Sequence, residues 1–350
     1  MKTKNFLFYF IIISFVIFLL ELLSYGINKI YNQDFFNVHS FVTRVDDERL
    51  ITLKKNIKIK NYDNQNWSIY TSSIGTRITE NQNNSKKLKN KKLPKILFIG
   101  DSVPFGWGVN AEHSIPYIIS IKNPEYVSIN GAIPSYSLAQ SVTRFKYEFK
   151  GIENLKYVYL QIYDPASQYG MLGNKWKELD NWTNERTHVL RNNFLAENVL
   201  DKEIPIYGRP YFFQFLEKFL MKKKGYDLPL IYPTNESDER YKLHIKNNLN
   251  ELIKLLNISK SQLIIAPVNV PKHKWVFTGE DSDYHLRAIK ILNDTLREFS
   301  EKNNIKFIDT ISILNSDDNF RENFIDEVGH LSKEGATRVS ENLSKILSNH

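Results

Sequence analysis

The chain of 350 residues contains no cysteine. That excludes a disulfide framework, a thiolate zinc site and a cysteine nucleophile, while fitting either a reducing or an oxidising compartment. His-Glu-x-x-His, a Walker loop and a Gly-x-Gly-x-x-Gly after a strand are also missing, as is any cluster with recognisable metal-ligand spacing. Metal-assisted hydrolysis and nucleotide chemistry therefore have no foothold, and neither a metal nor a cofactor is expected. No internal repeat of about 20–50 residues marks a solenoid or propeller. Charge of one sign is not concentrated: 47 Lys and Arg stand against 39 Asp and Glu, a net +8 spread over many segments. That spread argues against a nucleic-acid partner. A mean hydropathy of −0.40 excludes a polytopic membrane protein. What is present is 42% hydrophobic residues, with 13% aromatics, enough to form the core of one large domain or two smaller ones.

One segment departs from this average. Phe6 to Leu20 is apolar except for Ser14, and Glu21 to Ile27 extends it to 22 residues. At ~1.5 Å per residue this reaches about 33 Å, enough to cross a ~30 Å hydrocarbon layer once. Glu21 falls towards the far end, where a carboxylate costs less than at the bilayer centre. Lys2 and Lys4 keep residues 1–5 cytoplasmic by positive-inside bias, and everything after residue 27 is exported. A cleaved signal peptide ending near Ser24-Tyr25-Gly26 is the rival reading. The long, aromatic-rich span favours a retained single-pass anchor at the cell membrane over residues 6–27. A buried soluble helix is disfavoured because such helices are rarely apolar on every face.

Residues 28–93 read as an extracytoplasmic stalk or linker with short strands at 50–59 and 67–70. They end in the basic run Lys86-Lys87-Leu88-Lys89-Asn90-Lys91-Lys92, a solvated linker or a contact for anionic polymer or lipid. From residue 94 to 350 short apolar runs alternate with helical patterns. Lys95–Ile99, Tyr126–Ile129, Tyr157–Ile162, Gln262–Ala266 and Ile305–Ile308 are five strand candidates. Helical patterns lie near 112–122, 138–150, 240–257, 284–303 and 333–348. This alternation predicts a five-stranded parallel sheet covered on both faces, a three-layer α/β/α domain with its site beyond the carboxyl ends of the strands. The interval 165–235 is too long for a connection. It carries Trp176, Trp182 and the aromatic stretch Tyr207 to Phe219, and reads as an insertion over the site, able to stack on sugar rings or to form its own core.

The first parallel strand runs into Gly100-Asp101-Ser102-Val103-Pro104-Phe105-Gly106-Trp107-Gly108. A serine at a glycine-flanked turn after a buried strand presents its hydroxyl above the sheet, beside backbone N–H groups that can face a developing oxyanion. Asp101-Ser102 also suits the cap of a following helix. A hydroxyl needs a base to act as a nucleophile at neutral pH. The candidate lies near the other end, in Asp326-Glu327-Val328-Gly329-His330, where a neighbouring carboxylate fixes the imidazole tautomer.

Taken together, these segments resemble the SGNH (GDSL-like) hydrolase superfamily, in particular its membrane-anchored bacterial branch. The likeness spans Pro94 to the C-terminus and is strongest over Ile96–Val109, with a lead-in at Tyr70-Thr71-Ser72-Ser73-Ile74-Gly75-Thr76-Arg77. It implies an SGNH/flavodoxin-like α/β/α fold, Ser102 as nucleophile, His330 as general base, and esterase or acyl-transfer chemistry without metal. The family's last block is Asp-x-x-His; here Glu327 is three residues before His330 and Asp326 four. Asp326 is the preferred partner, given a one-residue bulge at Val328-Gly329, with Glu327 the alternative. Asn130-Gly131-Ala132-Ile133-Pro134-Ser135-Tyr136-Ser137 is similar to the family's second block, with Ser135 in the oxyanion-hole glycine position. Tyr163-Asp164 stands where the family has Asn-Asp. The implied oxyanion hole is Ser102, Ser135 and Tyr163, and Trp107, Tyr136 and Asp164 are substrate-side candidates. Loss of one side-chain donor from such a hole costs ~3 kcal/mol, about 100-fold in rate. The expected function is a membrane-anchored serine esterase or O-acyltransferase acting on a small ester or an O-acylated carbohydrate. A catalytically impaired relative that binds polysaccharide or a partner protein, and a surface protein using the 86–92 run, are the alternatives.

Overall fold

Strands form where apolar, β-branched and aromatic residues run for four to seven positions between turn residues, too short for a helix and buried on both faces. The computed structural model describes Tyr9, Ile12 and residues 14–23, 43–46, 50–60, 67–80, 92–134, 136–162, 235–256, 262–267, 280–316, 318–326 and 328–348. The chain divides into two compact units, Met1–Ile51 with Trp182–Leu228, and Thr52–Asn181 with Pro229–His350.

In the first unit, residues 14–23 are helical. Phe15, Val16, Ile17, Phe18, Leu19, Leu22 and Leu23 are all exposed. Among the described residues no helix is long and apolar enough to cross a membrane. Residues 6–8, 10, 11, 13 and 24–27 of the expected span lie outside the described residues. Strand β1 (Thr43–Asp46) belongs here, and β2 (Leu50–Leu53) crosses the division.

The second unit holds the sheet. In chain order its strands are β3 (Lys58–Ile59), β4 (Ile69–Thr71), β5 (Arg77–Ile78), β6 (Lys95–Gly100), β7 (Val127–Asn130), β8 (Leu155–Gln161), β9 (Leu263–Ala266) and β10 (Lys306–Phe307). Its helices are α1 (Ser102–Phe105), α2 (Ile115–Lys122), α3 (Leu138–Arg144), α4 (Asn235–Leu256), α5 (Glu280–Asn303), α6 (Thr310–Leu314) and α7 (Lys333–Ser348). The spatial order is β10-β9-β8-β6-β7-β5-β4-β3. The five expected runs are the parallel strands β10, β9, β8, β6 and β7.

The expectation of a five-stranded, wholly parallel sheet needs correction: the sheet has eight strands and is mixed. Residues 58–78, expected within a stalk, add three antiparallel strands beyond β7. They cover what would otherwise be an open strand edge. β3 and β4 fall at the short strands expected over 50–59 and 67–70, whereas β5, of two residues, carries no periodic signal of its own.

The chain steps from β6 to β7 in one direction, then back across to β8 and on to β9 and β10. Right-handed crossovers then put α2 on one face and α3, α4 and α5 on the other. The packing agrees: α7 lies on α2 and α6, while α4 lies on α3 and α5. The order reverses at β6, so the crevice beyond its carboxyl end is the switch point where such sheets build sites. Every residue of β6 is buried, and its last one, Gly100, has φ +138°. A Cβ there would stand 1.7 Å from the Gln161 carbonyl oxygen of β8. Only glycine lets the chain turn out of the sheet this close to its neighbour.

Candidate active site

Directly after that turn, the Asp101 carboxylate accepts the Val103 N–H at 3.1 Å and caps α1. Ser102 is the first residue of this four-residue helix and is 8% exposed. The helix-cap reading of Asp101-Ser102 is realised, and the cap fixes the turn that carries the Ser102 hydroxyl. The Ser102 N–H donates to no described residue. Gly106 closes the helix in the left-handed region, donating its N–H to the carbonyls of Ser102 and Val103.

The imidazole comes from the loop before α7. An antiparallel bridge between Phe324 and Leu331 closes this loop, and the Ile325 N–H donates to the His330 carbonyl at 2.9 Å. Inside it, Asp326 Oδ1 accepts the N–H groups of Val328, Gly329 and His330 at 3.1, 3.0 and 3.0 Å. Gly329 takes φ +102° to make this possible. The other oxygen, Oδ2, lies 2.5 Å from His330 Nδ1. His330 Nε2 lies 2.9 Å from Ser102 Oγ, across 228 residues of sequence. An acceptor-only carboxylate at Nδ1 selects the Nδ1–H tautomer, which leaves the Nε2 lone pair to accept the serine O–H. Burial alone would push the Asp326 carboxyl up, but hydrogen bonds and charge from His330, with the His330 and Gly329 backbone N–H groups, hold it below the usual carboxylate range. This line of groups can deprotonate the hydroxyl as it attacks a carbonyl carbon and can hold the resulting imidazolium.

Solved structures that match the chain include a lipase/acylhydrolase from Enterococcus faecalis, 12% identical with a TM-score of 0.42, covering 73% of this chain and 94% of that one. A GDSL-like lipase from Bacteroides thetaiotaomicron is 14% identical with a TM-score of 0.42, covering 76% of this chain and 97% of that one. A catalytic mutant of an acetylxylan esterase from Geobacillus stearothermophilus is 13% identical with a TM-score of 0.39, covering 72% and 93%. No protein-family model and no curated protein matches the chain.

Of the candidates read from sequence, the fold brings Ser102, His330 and Asp326 into one hydrogen-bonded line. Glu327, Ser135, Tyr163 and Asp164 lie outside the described residues, as does the expected insertion apart from Asn235. Trp107 is half-buried beside the site-bearing turn, edge-on to Trp67 with ring centroids 5.1 Å apart. Tyr136, expected on the substrate side, is 1% exposed and belongs to the interior, so its ring offers no surface to a ligand. No metal-binding cluster of His, Asp and Glu occurs among the described residues.

Two residues around the serine turn escaped the sequence reading of the site. Asn130, at the end of β7, donates through Nδ2 to the carbonyls of Pro104 and Phe105 at 3.2 and 3.1 Å. Its Oδ1 accepts the Ala132 N–H at 3.3 Å. Arg77, on β5, reaches the same turn from the antiparallel extension. Asn130 opens the segment Asn130–Ser137 and Arg77 closes the segment Tyr70–Arg77, but neither residue type announces a bond to a distant main chain.

Proposed function

We propose that this chain is a serine esterase or O-acyltransferase of the SGNH (GDSL-like) type, anchored by its N-terminal segment and acting outside the cytoplasmic membrane. The observation that carries the reading is the geometry Ser102 Oγ to His330 Nε2 at 2.9 Å and His330 Nδ1 to Asp326 Oδ2 at 2.5 Å. Ser102 Oγ attacks the ester carbonyl carbon while its proton passes to Nε2. The oxyanion is received by the Ser102 N–H, with the Ser135 N–H and the Tyr163 phenol as further donors. Collapse breaks the ester C–O bond, and the alcohol leaves with the proton from Nε2. Water then regenerates the enzyme and releases an acid, or a sugar hydroxyl takes the acyl group, in either case deprotonated by His330. Asp326 is the orienting carboxylate.

The anchor reading draws on the helical residues 14–23, where Phe15 to Leu19, Leu22 and Leu23 are exposed, an apolar surface of the kind that marks a membrane or protein contact. An O-acylated carbohydrate suits an exported enzyme whose aromatic-rich stretch 165–235 interrupts the domain. The impaired-binder reading is less favoured, since a protein that only binds has no use for a serine, an imidazole and a carboxylate in hydrogen-bond register. A fluorophosphonate probe tests the proposal: it should label wild type and not Ser102→Ala, in parallel with aryl acetate hydrolysis. Absence of Ser102-dependent labelling and turnover would remove the enzyme reading and leave the binder.

A further inference from the structure

The single-turn helix α1 leaves its last carbonyl groups without intrahelical partners. Asn130 takes those of Pro104 and Phe105, and Arg77 takes Phe105 as well, together with the carbonyls of the turn that follows. The Arg77 side chain is 2% exposed, and Nη1 donates to the carbonyls of Phe105, at 2.7 Å, and Gly106. Nη2 donates to Val109 O at 2.5 Å and to Ser68 O at 3.3 Å. The guanidinium carbon sits 4.6 Å from the centroid of the Phe105 ring and 5.6 Å from that of Trp67. A Cβ on Gly106 would come within 2.9 Å of Nη1, so the residue that ends α1 also makes room for the cation. Three of the four carbonyl acceptors therefore lie within 105–109, on the segment that begins at Ser102. Burial pushes Arg77 down to about 9, with Glu112 acting in the opposite sense, and it remains protonated at neutral pH.

A buried cation with carbonyl dipoles as its acceptors is an expensive way to hold a loop. A fully apolar contact would stabilise the fold as well, but it would not fix carbonyl directions. Here those directions are coupled to the nucleophile: the Ser102 carbonyl accepts the N–H groups of Gly106 and Trp107 at 3.0 and 2.9 Å. Rotating the Gly106 peptide therefore tilts the peptide that carries Ser102. The planar fork of arginine reaches several carbonyls at once, which the single ammonium of lysine cannot do with the same geometry.

We infer that Arg77 is a positioning residue for the reaction, bracing the 105–109 turn so that Ser102 Oγ and N–H keep their aim at the His330 imidazole and the oxyanion. This rests on the serine-hydrolase reading above. Misplacement of a reacting group by an ångström can cost about 100-fold. The test measures kcat and KM on an aryl acetate, fluorophosphonate labelling rate and Tm for wild type, Arg77→Lys and Arg77→Met in the full chain. Expected are folded variants with kcat and labelling rate down about 10–100-fold and KM within about twofold. A variant with lowered Tm but unchanged kcat per labelled site overturns the inference, because Arg77 then supports only the fold. Should Arg77→Met not fold, Arg77→Lys decides alone; if neither folds, the positioning role is likewise overturned. Wild type without Ser102-dependent turnover takes down both this and the serine-hydrolase reading, whereas an active wild type with an equally active Arg77→Lys takes down this inference alone.

Discussion

Replacing Asp326 by Asn separates the carboxylate's two jobs. Oδ1 ties the loop through three backbone N–H groups, and Oδ2 sets the imidazole. An asparagine can keep its carbonyl oxygen on the three N–H groups, so the loop should still fold, giving up only the stabilisation that the carboxylate charge adds. Its NH2 group then replaces Oδ2 and offers a proton to His330 Nδ1. That nitrogen must accept, the ring proton moves to Nε2, and Nε2 no longer has a lone pair for the Ser102 hydroxyl 2.9 Å away. A wrong-tautomer imidazole in such a triad lowers kcat by about 10⁴, equivalent to roughly 5.5 kcal/mol of transition-state stabilisation. Steady-state aryl acetate hydrolysis would show this as a loss in kcat with KM nearly constant, and the fluorophosphonate labelling rate should fall in step. Glu327→Gln is the matched control and should stay within about threefold of wild type. Retention of activity within about tenfold by Asp326→Asn, or collapse on Glu327→Gln instead, would refute Asp326 as the orienting group.

The same carboxylate makes stability depend on pH in a defined direction. Its folded pKa is depressed, so its contribution is complete above the ordinary carboxylate value of ~3.9 and fades as pH falls through the folded value. Urea unfolding should therefore show a wild-type advantage over Asp326→Asn that is flat between about pH 7 and 5 and shrinks below about pH 4; a constant difference into strong acid contradicts it. Gly100→Ala puts a methyl carbon 1.7 Å from the Gln161 carbonyl at φ +138°. It should cost about 3 kcal/mol or more, read as a large drop in Tm, and a near-normal Tm would mean that β6 and β8 separate easily. For the anchor, expressed full-length chain should pellet with membranes through salt and alkaline washes, and deletion of residues 1–27 should release it. A mature product of lower mass beginning after residue 26 would point to a cleaved leader.

Four of the five parallel strands were legible because burial on both faces writes itself as continuous apolar runs such as Ile96-Leu97-Phe98-Ile99 and Leu263-Ile264-Ile265-Ala266, and the edge strand Lys306–Phe307 because Ile305 and Ile308 flank it. Ser102 and His330 were legible because each follows a strand or precedes a helix at a glycine-marked turn. The choice between Asp326 and Glu327 was only half legible. The family's spacing fits Glu327, and the preference for Asp326 rests on an assumed bulge at Val328-Gly329; in the structure Asp326 Oδ2 lies beside His330 Nδ1, where Gly329 at φ +102° spools the chain so that three N–H groups converge on Oδ1. The strands at 58–59, 69–71 and 77–78 were illegible as part of the sheet, since pairs such as Arg77 with Asn130 are fixed by tertiary contact and not by local pattern.

How the two remote pieces keep register is a matter of steric fit as well as hydrogen bonds. Gly108 follows the serine turn with φ +79°, and a Cβ there would lie 2.0 Å from Cδ1 of Ile325. Ile325 immediately precedes Asp326, and its N–H is bonded to the His330 carbonyl. The loop that carries the imidazole and its carboxylate therefore rests directly on the turn that carries the hydroxyl, with nothing larger than hydrogen on the turn's side of the contact. The loop is internally tied by Asp326 and the turn by Arg77 and Asn130, so each arrives at this contact already shaped. The 2.9 Å separation between Ser102 Oγ and His330 Nε2 then follows from one apolar seat between two rigid parts, rather than from the strength of that hydrogen bond itself.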